Sequence, residues 1–81
     1  MQQPTPDTFN HLAVGDRAHI PGAGDQTGRP LPDPVEIVTE PVPCTLPDCG
    51  AWCCVGKDQE GWLVELHRRP DRPVFIAARA A

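Results

Sequence analysis

Proline and glycine interrupt this chain too often for a helical body, and no other feature of the sequence narrows its fold class as far. Eleven prolines and seven glycines fall within 81 residues. Proline lacks the amide that closes a helical turn, and glycine costs backbone entropy, so the composition opposes long helices. The segments between these breakers have strand character. In HLAVGDRAHI, residues 11–20, Gly15-Asp16 supplies a turn, and Ala18 and Ile20 then share one face by period two. VEIVTEPVP, residues 35–43, alternates Val35, Ile37 and Thr39 against Glu36, Val38 and Glu40 until Pro41 and Pro43, which cannot donate to a ladder, end the strand or mark a sheet edge. A turn at TLPDCG leads to strand 51–56, the turn KDQE and strand 61–67. RPDRP turns the chain into a last strand over residues 74–79.

Two segments stand apart. Residues 1–8 are polar and carry prolines, and read as a flexible tail. Residues 21–34, PGAGDQTGRPLPDP, read as a long loop. Four to five short strands with one long Pro/Gly-rich early loop predict an all-β fold, a small SH3-like β-barrel over residues 9–81, since closure removes exposed sheet edges. For the hairpin AWCCVGKDQEGWLVELH, residues 51–67, pairing Gly56 with Gly61 places Ala51, Cys53, Val55, Trp62, Val64 and Leu66 inward. Trp52, Cys54, Leu63, Glu65 and His67 then face outward, and a slip of one residue exchanges the faces.

Size and charge bound the function. A domain of this length buries only roughly 60–65% of its unfolded surface, and such chains lean on a metal, a disulfide or an oligomer interface. The net charge of −4 gives no general attraction to nucleic acid or an anionic membrane. No apolar run approaches the ~20 residues of a membrane span, and the first residues lack the pattern of a signal peptide. A cytoplasmic location with reduced thiols is therefore expected. The charge is uneven: residues 1–66 carry three cations against ten acids, whereas residues 67–81 carry Arg68, Arg69, Arg72 and Arg79 against Asp71. The arginine-rich turn is a candidate edge for an acidic protein partner.

Trp52, Cys54, Glu60, Gly61, Val64 and Glu65, aligned without a gap, together with Val14-Gly15-Asp16-Arg17, Val74 and Ile76, give the chain a resemblance to the type II, plasmid-borne dihydrofolate reductases. The resemblance covers about half the chain. It implies an SH3-like barrel that assembles around a shared pore binding NADPH and dihydrofolate, with Phe75, Ile76 and Ala77 as pore candidates and Ile76 contributing its backbone. Phe75 and Ala77 stand where that family has a glutamine and a tyrosine, so the catalytic Val-Gln-Ile-Tyr motif is not retained. His19, Ile20 and Pro21 stand where it has basic residues.

The remaining chemistry lies in Cys44, Cys49, Cys53 and Cys54. Neighbouring residues on a strand point to opposite faces, so Cys53 and Cys54 do not share one ion. The candidate zinc ligands are Cys44, Cys49, Cys54 and His67, with His19 as an alternative imidazole. The other readings are a Cys44 bridge to Cys53 or Cys54, and buried thiols acting as small hydrophobes. The chain has no serine, which excludes a serine triad. The expectation is a non-catalytic SH3-like binding or assembly module, a homo-oligomer with no required cofactor. Its contact surface is Trp52, Leu63, Arg68, Arg69 and Arg72. The rivals are a divergent NADPH-dependent reductase and a zinc-stabilised adaptor.

Overall fold

The computed structural model describes residues 4–21 and 34–80. Seven strands and one short 3-10 turn follow in order: β1 Thr5–Thr8, the turn Phe9–His11, β2 Arg17–His19, β3 Val35–Ile37, β4 Val42–Pro43, β5 Trp52–Lys57, β6 Leu63–Arg68 and β7 Pro73–Ala78. All pairings are antiparallel, in the order β1-β7-β2-β3-β5-β4, and β6 lies along the other edge of β5. The result is the small all-β, SH3-like architecture that the spacing of breakers predicts, as a sheet curled into a half-barrel.

The expected strands recur, with two additions. Val38 and Thr39 both donate their amides to the Val55 carbonyl, at 2.8 and 3.1 Å, so the 35–43 segment kinks after Ile37. Beyond the kink, β4 continues on the same edge of β5 as a two-residue strand. Pro43 lies at this edge, where its missing donor costs no ladder bond.

The second addition corrects the expected tail. Residues 1–3 lie outside the described residues, but Thr5–Thr8 pair with β7 from Ile76 to Pro73. Phe9, fully buried, anchors the end of this strand, and its amide donates to the Arg72 carbonyl at 2.9 Å. Charge holds the same segment. Arg79 reaches both Asp7 and Asp16, and Asp7 also bonds His11 Nδ1 at 2.8 Å. The expected loop 21–34 falls almost wholly outside the described residues.

Asp16 is the buried clamp of the fold. Its carboxylate accepts the amides of Ala13 and Ala80, each at 2.9 Å, and Arg79 Nη1 at 3.0 Å. These bonds hold its carboxyl below the usual range despite the opposing cost of burial. The Gly-Asp-Arg segment thus fastens the entry of β2 to the exit of β7.

The core comprises Phe9, Leu12, Ala18, Ile20, Val35, Ile37, Cys54, Leu66, Val74 and Ile76, with Trp52 and Val64 packed against it. The expected inward faces hold for β2, β3 and β6 but not for β5. The hairpin pairs Lys57 with Leu63, Gly56 with Val64, Cys54 with Leu66 and Cys53 with His67. The cause is a loop longer than KDQE. Asp58 accepts the amides of Glu60 and Trp62, each at 2.9 Å, and donates its own amide to the Trp62 carbonyl at 2.9 Å. This side-chain-capped loop spans Asp58 to Trp62 and shifts the pairing by an odd number of residues, which reverses β5 relative to β6. Cys54 and Gly56 therefore point inward, and Cys53 and Val55 outward. Gly56 has no room for a side chain: a Cβ there would meet Val35 Cγ1 at 2.4 Å.

The tryptophans change places for the same reason. Trp62, expected in the core, is 69% exposed at the hairpin tip, and Trp52, expected outside, packs against the core.

Candidate metal centre

The outer face of the β4–β5–β6 ladder collects the thiols. Val42 pairs with Cys53, and Cys53 pairs with His67, so these three side chains share that face. Cys44 is two residues beyond Val42 and therefore on the same face, and its amide donates to the Ala51 carbonyl at 2.9 Å. Between Cys44 and Ala51 the chain makes a tight turn that brings Cys49 back. The Cys49 amide donates to the Leu46 carbonyl at 3.3 Å, and Asp48 and Gly50 on either side both take left-handed backbone angles, φ 58° and 65°. Aspartate tolerates this region and glycine adopts it without strain, so Asp-Cys-Gly suits a turn that aims the Cys49 side chain at the sheet.

The ligand atoms of Cys44, Cys49 and His67 all lie within 4.8 Å of one another, and Cys49 Sγ is 3.1 Å from His67 Nε2. Bond lengths of about 2.3 Å for sulfur and 2.0–2.1 Å for nitrogen place ligand atoms roughly 3.6–3.8 Å apart around a tetrahedral ion, so Cys49 and His67 need to part by about 0.5 Å and Cys44 needs to approach them by about 1 Å at most. The Leu46 amide donates toward Cys44 and lowers its pKa, with a smaller contribution from Cys49, which favours the thiolate that binds metal. Cys53 shifts the other way, mainly through burial and then through the neighbouring Cys44.

Of the four expected ligands, the structure brings together Cys44, Cys49 and His67. Cys54 is excluded, because its side chain lies in the core, where burial pushes its thiol up to about 12. His19 is on β2, opposite Phe75, and is not part of the group. All four cysteines are free thiols.

A cleft of about 630 Å³ adjoins the thiol group, and its lining includes His67, Arg68, Arg69, Arg72, Ala51 and Val74. Arg68 Nη1 donates to the neighbouring His67 carbonyl at 2.7 Å. Among the described residues no carboxylate pairs with the three guanidinium groups of this wall. Leu63, 63% exposed, stands at the far end of the hairpin beside Trp62, and neither Leu63 nor Trp52 lines the cleft. The five expected contact residues therefore fall into separate places. On β7, Phe75 is 38% exposed and Ala77 is exposed, whereas Ile76 is buried and its backbone lies between β1 and β2. No helix among the described residues is long and apolar enough to cross a membrane.

Sequence reasoning missed Cys53 as the outward thiol, and it missed the Asp16 clamp. The signal for the first was Asp58 with Gly61: an aspartate that caps its own loop adds a residue to the turn and reverses the face of the strand before it. Comparison with protein-family models, with curated proteins and with solved structures finds no match.

Proposed function

We propose that this chain is a non-catalytic binding module, completed by a zinc ion on Cys44, Cys49 and His67, whose contact surface is the arginine-lined cleft beside that ion. The observation that carries this reading is the position of His67, which belongs both to the thiol group and to the cleft wall. Zinc on these residues would tie the β4–β5 turn to β6 and fix one wall of the cleft. Treated as a cross-link across the 44–67 segment, the ion contributes about 3 kcal/mol by restricting the unfolded chain. That is a large share of the stability of so small a domain. Arg68, Arg69 and Arg72 suit a carboxylate-rich segment of a partner protein, since guanidinium groups pair with carboxylates in a planar, two-bond geometry.

The test is native mass spectrometry of zinc-loaded chain, with thermal unfolding before and after chelation. One zinc per subunit is expected, and removing it should lower Tm by about 12–24 °C, from about 3 kcal/mol at roughly 4–8 °C per kcal/mol. A fluorescent glutamate-rich peptide should bind the loaded protein in a salt-sensitive manner, and R68E/R72E should abolish that binding. A chain that retains no zinc and melts unchanged in chelator refutes the metal. Peptide binding that ignores charge reversal refutes the cleft.

A further inference from the structure

Three ligands leave the fourth position of a tetrahedral ion undecided, and the choice settles what kind of site this is. A water in that position makes an open site of the sort that does chemistry, and a fourth side chain makes a closed, structural one. We propose that Cys53 is the fourth ligand, completing a closed Cys3His centre; this rests on the metal reading above.

The register carries the assignment. Cys53 stands directly opposite His67 across the β5–β6 ladder, and directly opposite partners have Cβ atoms about 4.5–5.5 Å apart on one face. Cys44 lies diagonally across the β4–β5 ladder from Cys53, since Val42 is its partner and Cys44 follows two residues later. Cys53 is therefore flanked by one ligand on each neighbouring strand. It is not among the three residues whose ligand atoms already lie within 4.8 Å of one another. A change of its χ1 rotamer moves its sulfur by about 3 Å, and that movement is the one the assignment requires. Among the described residues, the other cysteine, Cys54, is held on the opposite side of the sheet by burial in the core. Cys53 is itself half-buried on that face.

This corrects the ligand set expected from the sequence by one position, and the correction is chemical as well as geometric. Three thiolates and a neutral imidazole fill a zinc ion's preferred coordination and give it a net charge of −1, whereas two thiolates and a water leave a Lewis-acidic ion open to substrate. A closed centre fits a module that binds and does not catalyse.

The deciding experiment is zinc K-edge absorption on the full wild-type chain loaded with Zn²⁺, which counts sulfur and nitrogen neighbours without any substitution. Three sulfurs and one nitrogen are expected. Replacing zinc with Co²⁺ gives a second readout: Cys53→Ser should lower the thiolate-to-cobalt charge-transfer intensity by about a third and weaken metal affinity by more than about tenfold. Cys53→Ser should also leave the far-ultraviolet circular dichroism of the loaded protein unchanged. Two sulfurs with an added oxygen, or a cobalt spectrum indifferent to Cys53→Ser, overturn the inference while leaving zinc on Cys44, Cys49 and His67 intact. A chain that binds no zinc overturns both.

Discussion

Gly56→Ala tests the register on which every assignment at the thiol face depends. In the structure Gly56 points inward, and an added Cβ would lie 2.4 Å from Val35 Cγ1, 3.2 Å from Leu66 Cδ1 and 3.3 Å from the Glu36 carbonyl oxygen. Carbon atoms in contact sit about 3.5–4.0 Å apart, so Val35 has to retreat by more than 1 Å. It has little freedom to do so, because its side chain is fully buried, stiff at χ1 and held on a strand paired on both sides. Overpacking of this kind costs about 1–3 kcal/mol. Against it stands the restriction of the unfolded chain on replacing glycine, about 0.4–1 kcal/mol of stabilisation. The net expectation is a loss of about 1–2 kcal/mol, read as a fall in Tm of roughly 4–16 °C for a domain of this size. In the alternative register, with Gly56 outward, the clash vanishes and only the favourable term remains, so Tm rises. Thermal unfolding by circular dichroism, with the metal loaded in both proteins, therefore decides by sign alone. Val35→Ala added to Gly56→Ala should recover part of the loss, because it removes the methyl groups in the way. A Tm that stays level or rises in Gly56→Ala refutes the register, and with it the placement of Cys53 beside His67.

Other perturbations bear on the rest of the fold. Asp16→Ala removes an acceptor of two amides and a guanidinium in a buried place, and should cost about 2–3 kcal/mol in urea unfolding; a neutral result would mean the clamp holds nothing. The Asp7 carboxyl is lowered from 3.8 to about 2 by His11, the Thr8 amide and Arg79. A carboxyl depressed on folding stabilises the protein fully above its unfolded value, and that stabilisation is lost as pH falls from about 4 toward 2. Asp7→Asn should flatten this part of the acid-stability curve, and an unchanged curve would show that the contacts of Asp7 with His11, the Thr8 amide and Arg79 are not formed in solution. NADPH mixed with dihydrofolate should not be oxidised even at high protein concentration, because Phe75 and Ala77 cannot donate the hydrogen bonds that the resembling reductases draw from a glutamine and a tyrosine; turnover would restore the reductase reading.

The residues that carry that resemblance have structural roles in this fold. The Gly-Asp-Arg entry does a definite job here, since Asp16 ties the end of β7 to the start of β2. The hairpin positions that carry the likeness serve packing in the same way: Val64 and Trp52 pack against the core, and Cys54 lies within it.

The sequence by itself determined roughly where most of the strands lie. Prolines and glycines punctuate it, and period-two alternation marked the buried faces of β2, β3 and β6, because those signals are local and act within a few residues. Tertiary structure decided the rest. Thr5–Thr8 read as a tail because a polar strand at an edge has no periodic apolar face of its own, and its partners, β7 and Arg79, lie far along the chain. Between Cys53 and Cys54 the sequence could not choose, since both are equally small and apolar. A single aspartate capping its own loop set the register, and the register sent one thiol into the core and the other to the face where Cys44, Cys49 and His67 meet.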